Sequence, residues 1–300
     1  MIEVSYISKT FDDIKAVNDI SITISEKNVF GLIGTNGAGK STFMRMLTGV
    51  LKPDSGSILV DGISVYESEE AKRLFFYISD DQYFPPSAKV SDMENYYKLF
   101  YKDFDSAKLN GYLQRFELDK NRKINTFSKG MKKQLSILLG VCSGCKYLFC
   151  DETFDGLDPV MRQGVKSIFA KEMEERGLTP VIASHNLREL EDICDYVGLL
   201  HKGGVLLSKD LEQMKSNIFK VQCVFSDKDK EFETLKKMEV LHTERRGSLV
   251  TLTIRGERKN IVSIIESTNP VFCEVLPLSL EEIFISETEV VGYDIKKLIY

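Results

Sequence analysis

Apolar and polar residues alternate over 2–6 and again over 20–24, the period of strands with one buried face. The interval 9–17 between them lacks that period and reads as a turn. Apolar runs follow at 29–33 and 147–150, and 180–184 reads as another buried strand, as in strands covered on both faces of a parallel sheet. Between these runs the spacing changes to that of helices over 41–50, 128–141, 160–176 (closed by Gly177) and 187–194. Turn signals punctuate the rest. Pro53-Asp54-Ser55-Gly56 is one, and Asp61-Gly62 sets a hairpin between 57–60 and 63–65. Further strands are expected at 74–79, 197–200 and, after Gly203-Gly204, 205–207. From Pro85-Pro86 to Arg122 the period is helical, with Tyr96, Tyr97, Phe100, Tyr101 and Phe104 on one side of a helix, read as core. Leu109, Leu113 and Phe116 continue the pattern on another helix.

Strands alternating with helices predict an α/β unit with a mainly parallel sheet and antiparallel strands at its N-terminus. This unit is expected to span residues 1–208, with a helical subdomain over about 85–145. A linker helix over 209–217 leads to a small α+β appendage over 218–300. Its strands are expected at 219–225, 249–254 and 271–275, with helical stretches at 232–238 and 260–265.

The run at 29–33 enters Gly34-Thr35-Asn36-Gly37-Ala38-Gly39-Lys40-Ser41-Thr42, and a helix leaves it. This is G-x-x-x-x-G-K-[ST] in strand–loop–helix context, the phosphate-binding loop of P-loop NTPases. Glycines let the backbone turn its N–H groups inward as a nest for phosphate oxygens. The first turn of the helix adds unpaired N–H groups and its positive dipole end. Lys40 is placed to reach the β- and γ-phosphates, and the Ser41 hydroxyl to ligate Mg²⁺.

Four further segments carry candidate chemistry. The strand at 147–150 ends in Asp151-Glu152. Asp151 is placed beside Mg²⁺, and Glu152 is suited to orient and deprotonate an attacking water. Ser128-Lys129-Gly130-Met131 opens a helix, either as a simple Ser cap or as a set of phosphate donors at the dipole's positive end. Gly156-Leu157-Asp158-Pro159 is a turn into the next helix, with Pro159 at its first position. Ser184-His185 ends a strand at the carboxyl edge of the sheet, where the imidazole can donate to a γ-phosphate.

Composition narrows the setting. The 40 basic and 45 acidic residues among 300 leave a net charge of −5, which argues against a general nucleic-acid binder. No stretch approaches the length of a membrane span, and the N-terminus lacks a signal region, so a cytoplasmic chain is expected. Six cysteines, several inside apolar runs, read as reduced buried thiols. Cys142-Ser-Gly-Cys145 lacks a second pair for zinc and continues a helical pattern, which favours packing over metal.

In this order the segments resemble the ATP-binding subunit of ATP-binding cassette (ABC) transporters, over about residues 2–208. The resemblance implies that residues 34–42 are the Walker A loop, Asp151 the Walker B aspartate and Glu152 the catalytic glutamate. Ser128 to Met131 would be the signature segment, Asp158 the D-loop residue and His185 the switch histidine. Phe11 matches the aromatic that stacks on adenine. Two subunits would face head to tail, each ATP lying between one Walker A and the partner's signature, so a second copy or a paralogue is implied. The signature departs from Leu-Ser-Gly-Gly-Gln, and its Ser-Lys-Gly-Met form looks like stand-alone cassettes of bacterial exporters. The family's Q-loop glutamine falls on Asp80, with Gln82 two residues out of register. Residues 82–95 lie where the family grips the coupling helix of a membrane subunit, and the segment 277–285 resembles the tail of exporter cassettes. The implied protein is an ATPase using ATP and Mg²⁺ to energise a separately encoded permease, peripheral on the inner membrane face. The alternatives are a permease-free soluble ABC-type ATPase and a weakly hydrolysing nucleotide-dependent regulator.

Overall fold

The apolar run Phe30–Ile33 folds as a strand buried along its whole length. In the computed structural model, which describes residues 1–211, 217–276 and 278–283, this strand lies inside a six-stranded sheet. The order across it is Gly204–Asp210, Tyr196–His201, Phe30–Ile33, Thr179–Ser184, Tyr147–Asp151 and Phe75–Ile78. The last five pair in parallel throughout. Their carboxyl ends therefore share one edge, the side on which open α/β sheets bind ligands. Burial on both faces explains the continuous apolar runs, since Tyr147–Asp151 and Thr179–Ser184 are buried at every position.

A second, antiparallel sheet has the order Ile14–Ile24, Ile2–Phe11, Ser55–Val60 and Ile63–Ser64. Its apolar face, with Ile2, Ile7, Ile20 and Ile24, shares a core with Phe43, Met44 and Leu47 of the helix Lys40–Leu47 and with Phe149. The helix that leaves the phosphate loop is thus clamped between two sheets. The interval 9–17 is not a turn: strands run to Phe11 and resume at Ile14, with Phe11 paired to Ile14 around Asp12-Asp13. Residues 10–15 are exposed at every position, so no buried face imposes an alternation there.

The helical stretch folds as Val90–Phe100 and Ser106–Arg115, followed by the helix Lys129–Cys142. Only part of the aromatic stripe is core. Tyr97 and Tyr101 pack on Phe76, whereas Tyr96 and Phe100 are 52% and 56% exposed. Cys142 and Cys145 are buried, and burial pushes both thiols up, away from the thiolate form a metal or redox role needs.

Contacts divide the chain into Met1–Ser208 and Lys209–Tyr300. In the second unit an antiparallel sheet has the order Glu239–Arg246, Leu249–Arg255, Ile218–Val224, Phe272–Leu276. With helices Lys228–Leu235 and Arg258–Glu266, the chain order is strand–helix–strand–strand–helix–strand, the ferredoxin-like arrangement. Val221, Cys223, Leu252, Ile254, Ile261 and Ile265 form its core. The helix expected at 232–238 begins earlier and ends at Leu235, and Glu239–Arg246 is a strand the sequence pattern does not announce. The expected linker helix over 209–217 is not seen at its start, where Lys209 and Asp210 end the strand Gly204–Asp210, and its residues 212–216, like 277 and 284–285 of the tail, lie outside the described residues.

One buried charge cluster braces the helical part. Glu172, fully buried in the helix Pro159–Arg176, accepts from Lys108 at 2.7 Å, Arg176 at 2.6 Å and Tyr112 at 3.2 Å. Burial alone would raise its carboxyl pKa, but hydrogen bonds from Lys108 and Arg176 outweigh it and hold the group below its usual value. A depressed carboxylate stabilises the fold at neutral pH, and this contribution fades as pH falls from the unfolded value through the folded one. Glu172→Gln is therefore expected to cost about 3 kcal/mol at pH 7, because two cations lose their buried partner. Urea unfolding should show this cost shrinking below about pH 4.5; equal stability of the two proteins at pH 7 would contradict it.

Candidate functional site

The loop after Phe30–Ile33 has a shape that its glycines require. Gly37 and Gly39 have φ of +80° and +98°, and a Cβ on Gly39 would lie 2.2 Å from the Ala16 carbonyl oxygen. The first hairpin thus closes one wall of the loop, and Gly39 caps the helix Lys40–Leu47. Lys40 is only 5% exposed, and its Nζ donates to the carbonyls of Gly34 at 2.8 Å and Thr35 at 3.3 Å.

Two other strand ends bring their side chains to this loop. From Tyr147–Asp151, the Asp151 carboxylate accepts from Ser41 Oγ and from the Tyr77 hydroxyl, each at 3.1 Å. Burial raises the Asp151 pKa, and the hydrogen bonds from Ser41 and Tyr77 work against that rise. The neighbouring Glu152 carboxylate lies 3.3 Å from Lys40 Nζ and 2.9 Å from His185 Nδ1, which follows Thr179–Ser184. Asp155 stands 3.4 Å from the same imidazole. Glu152 has φ of +47°, a backbone conformation that costs a non-glycine residue roughly 1–3 kcal/mol and is found at functional sites.

Lys40, Ser41, Glu152, Asp155 and His185 line an open cavity of about 630 Å³ together with Asn36, Gly37, Thr42, Asp80 and Lys202. Its lining combines the cations Lys15, Lys40 and Lys202 with the carboxylates of Asp80, Glu152 and Asp155. Such a surface suits a polyphosphate whose terminal group lies near a carboxylate able to accept a proton. Ser41 and Asp151 offer adjacent hard oxygen donors, the ligand type that Mg²⁺ takes.

Several other sequence candidates stand apart from this cavity. Phe11 is exposed, with Lys9 Nζ 5.6 Å from its ring centroid, and it does not line the cavity, although Ile14, Lys15 and Ala16 of the same hairpin do. Ser128 caps the helix Lys129–Cys142, accepting from the Met131 N–H at 3.1 Å, and it is exposed with Lys129. Gly130 lies against the Gly156 carbonyl, where an added Cβ would come within 3.3 Å. Asp158 caps Pro159–Arg176 through the Met161 N–H at 2.9 Å and is exposed. Ser128, Lys129 and Asp158 are thus outward-facing and line no part of the cavity. Asp80 reaches the cavity, whereas the buried Gln82 amide does not line it and has no hydrogen-bond partner among the described residues.

Sequence reasoning missed Asp155, Lys202, Lys133 and the Ile14–Ala16 wall. Asp155 had a usable signal, lying three residues past Glu152 in a strand-end turn. The others are set by tertiary approach and carry no local pattern.

The family model described as ABC transporter matches residues 17–155. The ABC transporter ATP-binding protein YtrB of Bacillus subtilis (strain 168) is 29% identical over 287 residues, covering 96% of this chain and 98% of that one. The uncharacterized ABC transporter ATP-binding protein YhaQ of the same strain is 30% identical over 238 residues, 77% of this chain and 79% of that one. A solved dimeric structure of a bacterial ABC transporter cassette superposes with a TM-score of 0.64 at 20% identity, over 70% of this chain and 99% of the other, and shows the same fold. With the phosphate loop, Asp151-Glu152 and His185 meeting at one sheet edge, these likenesses show that the chain belongs to the ABC transporter ATP-binding proteins, a family of ATPases.

Proposed function

We propose that this chain is the ATP-hydrolysing subunit of an ABC exporter, in which residues 1–208 carry the chemistry. The observation that carries this reading is the meeting of Lys40, Glu152 and His185 within hydrogen-bonding or ion-pairing distance, beside the Ser41–Asp151 pair. The loop from Gly34 to Thr42 binds the phosphates through its N–H groups, and Lys40 spreads positive charge over the β- and γ-phosphates. Glu152 orients a water and accepts its proton as the water oxygen bonds to the γ-phosphorus. The bond from that phosphorus to the β–γ bridging oxygen breaks, leaving ADP and inorganic phosphate. His185 holds a γ-phosphate oxygen and, through its contact with Glu152, the position of the carboxylate. Mg²⁺, held through Ser41 and Asp151, would neutralise charge on the phosphate oxygens.

The outward segments Ser128 to Met131 and Asp158 belong to the second face of a head-to-tail dimer. There the Ser128 hydroxyl and the N–H groups behind it meet the partner's γ-phosphate. That the solved cassette is dimeric supports pairing with a second chain, either a copy or a paralogue.

The membrane partner has a candidate seat. Tyr83, Pro85, Ala88, Met93, Tyr96 and Tyr97 line a groove of about 530 Å³, and Tyr83 is 81% exposed. Among the described residues no helix is long and apolar enough to cross a membrane, which fits a reading in which a separate permease supplies the spanning segments. That partner would keep this chain on the inner membrane face. Export is favoured by the Ser-Lys-Gly-Met signature form. Phosphate release by the purified full chain tests the enzymatic half of the reading. Turnover that needs both ATP and Mg²⁺ is expected, and none under any condition would favour a nucleotide-binding regulator.

A further inference from the structure

Lys133 lies in the helix Lys129–Cys142, and its side chain is 2% exposed. A buried ammonium is costly unless paired and hydrogen-bonded, and an apolar residue of similar size would ordinarily fill such a place. Here the charge has a specific target. Lys133 Nζ donates to the Glu152 carbonyl oxygen at 2.5 Å and lies 3.8 Å from Asp80 Oδ1. Burial lowers its pKa, the carboxylates of Asp80, Asp155 and Glu152 oppose that, and Lys129 adds to it.

The acceptor is the main chain of the strained residue. Glu152 holds its φ of +47° between two hydrogen bonds, its own N–H to the Ala183 carbonyl at 2.9 Å and the one that its carbonyl accepts from Lys133. The Glu152 side chain then meets Lys40 and His185. Removing one of the two pins lets the peptide relax and moves the carboxylate, while the phosphate loop keeps its shape. Lys133 does not line the nucleotide cavity, so ATP binding should not depend on it.

We propose that Lys133 is a positioning residue for hydrolysis: it pins the Glu152 main chain, and its ion pair with Asp80 ties the loop after Phe75–Ile78 to the same point. This rests on Glu152 being the base. It gives the Asp80 departure from glutamine a physical partner, a buried cation on the signature helix of the same chain.

The test is steady-state phosphate release by the full chain, with ATP affinity measured separately by a fluorescent analogue. Lys133→Met is expected to lower kcat roughly ten- to a hundredfold, with KM for ATP shifted less than about threefold. Lys133→Arg keeps a charged donor and should recover most of that loss. In the Glu152→Gln background, Lys133→Met should cost almost nothing further, because the lysine acts only through Glu152. If Lys133→Met does not fold, as judged by circular dichroism, Lys133→Gln is put through the same comparison, with the same drop in kcat expected. Turnover within about twofold of wild type in the lysine variant, while Glu152→Gln is inactive, overturns the proposal alone. An additive loss in the double variant, or equal losses in kcat and ATP affinity, also overturns it. Full turnover in Glu152→Gln overturns the underlying reading instead.

Discussion

Glutamine in place of Glu152 is expected to cut ATP turnover by about 10²–10⁴-fold while leaving ATP binding intact. The amide has the shape of the carboxylate but accepts no proton, so the attacking water loses its base. It also removes a negative charge 3.3 Å from Lys40, where the γ-phosphate is expected to lie. Binding should hold or tighten, and the ATP-bound dimer should outlive its normal lifetime because the step that reopens it has stopped. Size-exclusion chromatography with ATP and Mg²⁺, alongside phosphate release, measures both consequences. A variant that hydrolyses at the wild-type rate would remove Glu152 from the chemistry.

Lys40→Ala should fail one step earlier. The ammonium is 5% exposed and is held by the Gly34 and Thr35 carbonyls, so it is pre-placed at the phosphate loop. A charged hydrogen bond of this kind contributes about 1.5–3 kcal/mol, so ATP affinity is expected to fall roughly ten- to a hundredfold. The truncation also leaves Glu152 without its nearest fixed cation, so hydrolysis should drop even at saturating ATP. Titration with a fluorescent ATP analogue reads the first effect, and unchanged affinity would refute the phosphate-loop assignment.

The features legible in the sequence are those dictated by local physics. The strands ending at Ile33, Asp151 and Ser184 are mostly apolar because parallel strands are covered on both faces, and that exposes them as strands. Gly37 and Gly39 are legible because only glycine takes their backbone angles easily, and Gly39 has no room for a Cβ. Elements without a buried face were harder to see. Glu239–Arg246 borders its sheet with charged residues and shows no alternation, and the tip of the first hairpin is exposed on both faces. Tyr96 and Phe100 share the helical spacing of Tyr97 and Tyr101, but the core lies under only half of the stripe. Lys133 and Asp80 are brought together by folding from separate segments, and no spacing rule links them.

If this ATPase works for a membrane partner, affinity purification of the tagged full chain from detergent-solubilised native membranes will recover that partner. Mass spectrometry of the co-purifying proteins is expected to find a multi-span membrane protein in near-stoichiometric amount. Substituting charged residues for Tyr83 and Tyr96 in the aromatic groove should release it. Recovery of ribosomal or other soluble proteins alone, with no membrane protein, would contradict the transporter account.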